Sequence, residues 1–189
     1  MLGSHNSFTY LPATSDLYNN MSALWRCQYK TLQEQYNVGV RFFDVRVALE
    51  KKAGKNMWRV AHGDVRMDKL FTSIKTIFET FKNMPGSMFR LILEDESGKN
   101  EFIADIKDFV NNPQDVCRFI GIKKNWQVLY SNMPKLIDYS YVPWNSGASF
   151  MENLKHMELS TIKKWAEQHN PVVNKPLVDD PTIHFMDWV

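Results

Sequence analysis

The sequence predicts an α/β protein in which helices pack outside a mainly parallel sheet, either doubly wound or closed into a barrel. Three observations predict it. Segments with the two-residue period of strands alternate with segments of helical period. No internal repeat, low-complexity tract or Gly/Ser-rich linker interrupts the 189 residues, a length that buries one sizeable core and is short for two domains. Polar residues collect where the predicted strands end, which is where parallel α/β folds keep their active sites. A single domain over residues 1–189 is expected.

The elements follow in order. Met21, Leu24, Trp25, Leu32 and Tyr36 have helical spacing, so a helix is predicted from Met21 to Tyr36, with Asn37 and Gly39 as its stop. The stretch Val40 to Val47 reads as a strand, VRFFDVRV, with Asp44 and Arg46 on one face and Phe43, Val45 and Val47 on the other. Trp58 to Ala61 is a short strand ending at His62 and Gly63. Leu70, Phe71, Ile74, Ile77, Phe78 and Phe81 form one apolar stripe, predicting a helix from Asp68 to Lys82 that Met84, Pro85 and Gly86 end. A strand from Met88 to Glu94 runs into the acidic stretch Glu94, Asp95, Glu96. A helix with the stripe Phe102, Ile103, Ile106, Phe109 and Val110 comes next. Weaker strand signals at Trp126–Tyr130, Lys135–Tyr139 and Thr182–Val189 enclose a helical stretch from Met151 to Gln168.

Composition excludes some functions. Lys and Arg total 23 against 21 Asp and Glu, a net charge of +2, which lacks the dense basic stripe of a nucleic-acid binder. No run of eighteen apolar residues exists, and the N-terminus lacks the basic and apolar regions of a signal peptide, so a soluble domain is expected. Met1 and Leu2 lead straight into Gly3, Ser4, His5 and Asn6, so the chain is expected outside the cell if a leader has been removed and in the cytoplasm otherwise. Cys27 and Cys117 match no metal-site spacing and read as buried free thiols, with a single disulfide as the alternative.

The chemistry-bearing residues are His5 and Asn6, Asp44 and Arg46, His62, Glu94 and Asp95, and Asp187, all at or just beyond strand ends. A lone histidine is usually a satisfied structural residue; two beside a strand-borne Asp and Arg are not lone. His156, His169 and His184 fall outside this pattern and read as structural or surface residues. For Asp44 and Arg46 the lesser alternative is a structural ion pair, and Glu94 to Glu96 read equally as a solvated loop feeding a helix N-terminus, where negative charge is favoured.

Four segments resemble the X domain of phosphatidylinositol-specific phospholipases C: Gly3 to Tyr10 (GSHNSFTY), Gly39 to Arg46 (GVRFFDVR), Ala61-His62-Gly63, and Phe89 to Asp95 (FRLILED). The resemblance covers about the first half of the chain, and the closing stretch Ile183 to Val189 looks like the last barrel strand of bacterial members. It implies a compact TIM-type (β/α) barrel, complete or short of eight full units. It also implies a phosphodiesterase in which a ring hydroxyl attacks the adjacent phosphorus. His5 would be the general base, His62 the general acid, Arg46 the phosphate contact, Asp187 the residue orienting His5 and Asp44 a support, with Asn6, Glu94 and Asp95 binding substrate. Imidazole suits the first two roles because its unperturbed pKa of about 6.5 lets it take and give protons near neutrality.

Eukaryotic members carry an acidic residue at the Arg46 position and bind calcium there, whereas bacterial members carry arginine, so no cofactor is expected to be required. Asn6, Asp44 and Glu94 do match calcium-ligand positions of the eukaryotic kind, leaving a calcium site as the alternative. The implied partners are a phosphodiester or phospholipid head group and, transiently, a membrane surface, which Tyr139 and Trp144 would touch; no nucleic acid and no second subunit are expected. The competing readings are a metal-dependent glycerophosphodiester phosphodiesterase-like enzyme, which would need an acidic pair at Asp44 and Arg46, and a catalytically silent head-group-binding domain.

Overall fold

A computed structural model describes residues 2–110, 119–122, 126–128, 136–138, 166 and 183–187. Its strands are β1 (Leu2–Ser4), β2 (Val40–Lys52), β3 (Lys55–His62), β4 (Val65–Phe71), β5 (Met88–Leu93), β6 (Phe119–Ile122), β7 (Trp126–Val128), β8 (Leu136–Asp138) and β9 (Ile183–Met186). Its helices are α1 (Asp16–Asn20), α2 (Leu32–Asn37), α3 (Ile74–Thr80) and α4 (Lys99–Val110). The strands make one sheet in the order β7-β6-β5-β2-β1-β9-β8, with β3 and β4 added as an antiparallel arm on β2. Every pair from β6 through β5, β2, β1 and β9 to β8 is parallel, and the last strand lies beside the first.

The alternation in VRFFDVRV has the consequence expected of a pleated strand. Phe43, Val45 and Val47 pair across to Phe89, Leu91 and Leu93 and join Ile74, Ile77 and Phe78 of α3 and Phe102 and Ile106 of α4 in one buried core. Phe81 stacks on Phe89 with ring centroids 4.7 Å apart. Burying each such side chain is worth about 1.5–3 kcal/mol, so this face anchors the sheet. The opposite face mixes charged residues with buried Phe42 and Met88. Asp44 lies directly across from Arg90 and Arg46 across from Ile92.

Two predicted helices are corrected. The Met21–Tyr36 helix is instead α1, a 3-10 turn at Ser22–Leu24, an extended stretch and α2. Met21 and Leu24 are exposed while Trp25 is buried, so the apolar spacing makes no continuous face. The extended stretch survives because Thr9 Oγ1 accepts hydrogen bonds from the Cys27 and Gln28 N–H groups, and Thr31 starts α2 with a capping box to Glu34. The Asp68–Lys82 helix begins only at Ile74, where Ser73 and Thr76 form a reciprocal cap. Residues 65–71 are β4, since Val65 and Met67 are buried at period two and satisfy their backbone against β3.

The β2 strand continues past Val47 and turns at Ala53 and Gly54, both at positive φ (50° and 75°), the backbone that a two-residue hairpin loop needs. β3 returns along it and ends at His62, where Gly63 at φ 56° turns the chain into β4. The predicted strands at Trp126–Tyr130, Lys135–Tyr139 and Thr182–Val189 correspond to β7, β8 and β9. β6 is an addition to the sequence reading. Cys117, Tyr139, Trp144, His156 and His169 lie outside the described residues. So does the Met151–Gln168 helix apart from Ala166, which is helical and buried. Among the described residues no helix is long and apolar enough to cross a membrane.

Candidate active site

The parallel register gathers the polar residues at one edge of the sheet. Ser4 pairs with Phe43 on one side and Met186 on the other, so His5, Asp44 and Asp187 stand side by side one residue further along. His5 N–H donates to the Met186 carbonyl, and buried Gln28 donates through Nε2 to both the His5 and Met186 carbonyls, stitching the two strand ends together. Asn6 turns the chain away at φ 45°, a left-handed conformation that asparagine tolerates better than most residues.

His5 is only 7% exposed, and Asp44 and Asp187 are fully buried. His5 Nδ1 lies 2.7 Å from Asp187 Oδ1, while Nε2 lies 2.7 Å from Arg46 Nη2 and 3.1 Å from Asn6 Nδ2. Guanidinium and amide nitrogens only donate, so Nε2 is the acceptor and Nδ1 carries the proton given to Asp187. The ring thus holds a lone pair at Nε2 with a buried carboxylate behind it. That is the protonation state a general base requires.

Arg46 is fixed by two carboxylates. Nε donates to Asp44 Oδ2 at 2.8 Å and Nη1 to Glu94 Oε1 at 3.0 Å. With Nη2 on His5, three of the five guanidinium N–H groups are engaged, leaving one on each terminal nitrogen for a ligand's oxygens. Burial opposes the charge on Arg46, but the Asp44 and Glu94 carboxylates more than offset this and raise its pKa further. Asp44 also accepts from Arg90 Nε at 2.6 Å and from the Asn6 N–H at 3.1 Å. Its burial would favour the neutral acid, yet Arg46 and then Arg90 hold it far below the usual carboxylate range.

His62 stands at the tip of the β3–β4 turn, its ring edge-on to His5 with centroids 6.1 Å apart. Its Nδ1 lies 2.7 Å from the Trp25 carbonyl, which can only accept, so proton exchange falls to Nε2. Burial, followed by the electrostatic effect of His5 and then of Arg46, lowers its pKa from 6.5 to about 4. Between these values the unfolded chain binds a proton that the folded chain refuses. Stability is therefore intact above pH 6.5 and falls as pH drops toward 4, by on the order of 3 kcal/mol at most. Urea midpoints measured across this window should fall more steeply for the wild type than for His62→Gln; parallel curves would refute the shift.

The structure brings together His5, Asn6, Asp44, Arg46, His62, Glu94 and Asp187. Asp95 is separate: it accepts from the Ser97 N–H at 2.9 Å, capping the 3-10 turn after β5, and lies 3.7 Å from Arg66. The alternative calcium ligands Asn6, Asp44 and Glu94 are near one another, but the Arg46 guanidinium bridges the two carboxylates and Arg90 takes the second oxygen of Asp44. Two fixed cations beside these oxygens do not fit a calcium site.

With this geometry in place, solved structures supply the comparison. The phosphatidylinositol-specific phospholipase C from Listeria monocytogenes superposes with a TM-score of 0.61 at 14% identity, covering 100% of this chain and 87% of that one. A structure concerned with membrane binding by the Staphylococcus aureus phosphatidylinositol-specific phospholipase C gives 0.56 at 13% identity, covering 100% and 85%. A mutant of the Staphylococcus aureus enzyme gives 0.56 at 12%, with the same coverage. This chain shares their fold. No protein-family model and no curated protein matches the sequence.

Several contributors to the site carry no sequence signal of function. Arg90 reads as an ordinary strand residue because its partner is 46 positions away in the chain. Gln28, Cys27 and the Trp25 carbonyl sit within a segment predicted to be helical, where none of them could reach the strand ends. Period-two reading of β5 would have placed Arg90 beside Asp44 once the two strands were paired in register.

Proposed function

We propose that the chain is a phosphodiesterase of the phospholipase C type, acting on a phosphatidylinositol-like diester through attack of a neighbouring ring hydroxyl on phosphorus. The observation that carries this reading is the line Asp187, His5, Arg46: a buried carboxylate behind a histidine whose Nε2 lone pair faces a fixed guanidinium. His5 Nε2 takes the hydroxyl proton and Asp187 stabilises the imidazolium that results. Arg46, held by Asp44 and Glu94, meets the non-bridging phosphate oxygens where charge develops. His62 Nε2 protonates the leaving oxygen. Its lowered pKa keeps it neutral in the free site, and the anionic diester, adding negative charge between the histidines, brings the proton onto it.

No metal enters this scheme, because Arg46 provides the positive charge that a divalent ion would otherwise bring. The parallel strand order, with β9 beside β1, supports a TIM-type barrel, and residues 1–189 are read as one catalytic domain acting as a monomer. Incubation of the purified chain with phosphatidylinositol in mixed micelles containing EDTA tests the reading by phosphorus NMR. A cyclic phosphodiester product is expected. Absence of product with and without calcium would overturn the lipid substrate, and product only with calcium would overturn metal independence.

Access to a lipid is supported by the segment that also positions His62. Leu17, Met21, Leu24 and Tyr29 are large apolar side chains left exposed on residues 17–29, with Arg26 over the Trp25 and Tyr29 rings. Apolar and aromatic side chains beside a cation suit the surface of an anionic bilayer. Leu17→Asp combined with Met21→Asp is expected to reduce co-sedimentation with phosphatidylinositol-containing vesicles at least about tenfold, roughly 0.7 kcal/mol for each buried group lost. Unchanged vesicle binding would place the contact surface elsewhere.

A further inference from the structure

We propose that a ring nitrogen of His5, Cys27 Sγ and an Asp187 carboxylate oxygen form a binding site for a zinc-class divalent cation, and that its occupation disables His5. The second half rests on the proposed function; the binding itself does not. These three ligand atoms all lie within 4.8 Å of one another, and all three residues are buried. In a tetrahedral zinc shell, neighbouring ligand atoms stand about 3.3–3.8 Å apart, so closure asks for side-chain adjustments of an ångström or so. The set combines thiolate, imidazole and carboxylate, the mixture that zinc accepts and calcium does not.

Two further observations favour a cation here. Among the described residues Asn6 Oδ1 is buried without a hydrogen-bond partner, and the same amide's Nδ2 lies 3.1 Å from His5 Nε2 and 3.6 Å from Cys27 Sγ, so an amide with an unsatisfied oxygen borders the group. Charge also balances. A divalent ion with the Cys27 thiolate, the Asp187 carboxylate and a neutral His5 ring sums to zero: the thiol proton leaves to solvent, while the single ring proton stays on the nitrogen that the metal does not use. The nearby Asp44 and Glu94 are already held by Arg46 and Arg90 and do not compete.

The consequence for His5 follows from its tautomer. Metal at Nδ1 moves the ring's single proton to Nε2, where it would point at Arg46 Nη2 only 2.7 Å away, and metal at Nε2 takes that nitrogen's lone pair directly. The lone pair that would accept the substrate's proton is then gone, and Arg46 is pushed from its position. Zinc therefore acts as an inhibitor, reversed by chelation.

The test is a cadmium titration of the full chain, followed by the thiolate-to-metal charge-transfer absorption in the ultraviolet, which reads binding without reference to catalysis. One equivalent is expected to saturate the band in the wild type and in Cys117→Ser, and the band is expected to vanish in Cys27→Ser. A missing band, or one that survives Cys27→Ser, overturns the site. Zinc is then added to the cleavage assay, with each variant measured against its own metal-free rate. At least tenfold inhibition of the wild type, abolished in Cys27→Ser, is expected. A wild-type band without inhibition overturns the inhibitory half. Should no variant cleave lipid at all, the proposed function fails while the cadmium band still decides the site.

Discussion

His5→Ala is expected to lower the rate of phosphatidylinositol cleavage by about 10²- to 10⁴-fold while leaving the fold intact. The ring lies at the edge of the sheet, not in the apolar core, and the backbone links from His5 to Met186 and Gln28 do not use it. Asp187 acts through the same ring, so Asp187→Ala should also lose activity, by less than His5→Ala. The double variant should be no slower than His5→Ala alone, since residues acting as a unit are not additive. Initial rates for the three variants, with circular dichroism as a check on folding, decide the matter. An His5→Ala enzyme within tenfold of the wild type would remove His5 from the base role, and additive losses would separate Asp187 from it.

The second large effect is on stability. Asp44→Ala is expected to cost about 3–5 kcal/mol, because the buried carboxylate is the shared partner of Arg46, Arg90 and the Asn6 N–H. Removing it takes a shared counter-charge from two guanidinium groups on a largely enclosed face, with Arg46 keeping Glu94. Urea unfolding gives the number directly, and adding Arg90→Gln to Asp44→Ala should recover part of the loss by removing one of the two cations. A cost below about 1 kcal/mol would mean that the pairs behave like solvent-exposed ones. The pH dependence has the opposite origin to that of His62. Asp44 titrates far lower in the folded chain than in the unfolded one, so its stabilisation is complete above the ordinary carboxylate pKa near 3.8 and drains away as pH falls below it.

What the sequence disclosed and what it concealed follow one physical division. Short-range periodicity placed Asp44 and Arg46 on a single face of β2, and the motif around His5 put that residue at a strand end. Both depend on neighbours within a few positions. The contacts that define the site run across 182 positions from His5 to Asp187, 48 from Arg46 to Glu94 and 37 from His62 to Trp25. These depend on strand order and register, which no local pattern encodes. The resemblance to a known domain supplied His62 and Asp187 in place of that missing register, and said nothing of Arg90, which completes the charge arrangement. Residues 68–71 misled for a related reason: Leu70, Phe71 and Ile74 continue a helical stripe by coincidence, while the burial of Val65, Met67 and Phe71 follows the pairing of β4 with β3.

The antiparallel arm places His5 and His62 on separate parts of the sheet. His5 belongs to the parallel layer, whereas His62 is carried on a hairpin and tethered to residue 25. The Ala53–Gly54 turn lies at the opposite end of β3 from His62, with exposed Lys51, Lys52 and Lys55 around it. A fluorophore, affinity tag or surface linker grafted at that turn would therefore sit a full strand length away from the chemistry. The same separation means that changes in the short turn at Gly63 can retune the distance between the proposed proton donor and the proposed acceptor without rebuilding the sheet, a freedom through which related chains could diverge toward leaving groups of different size.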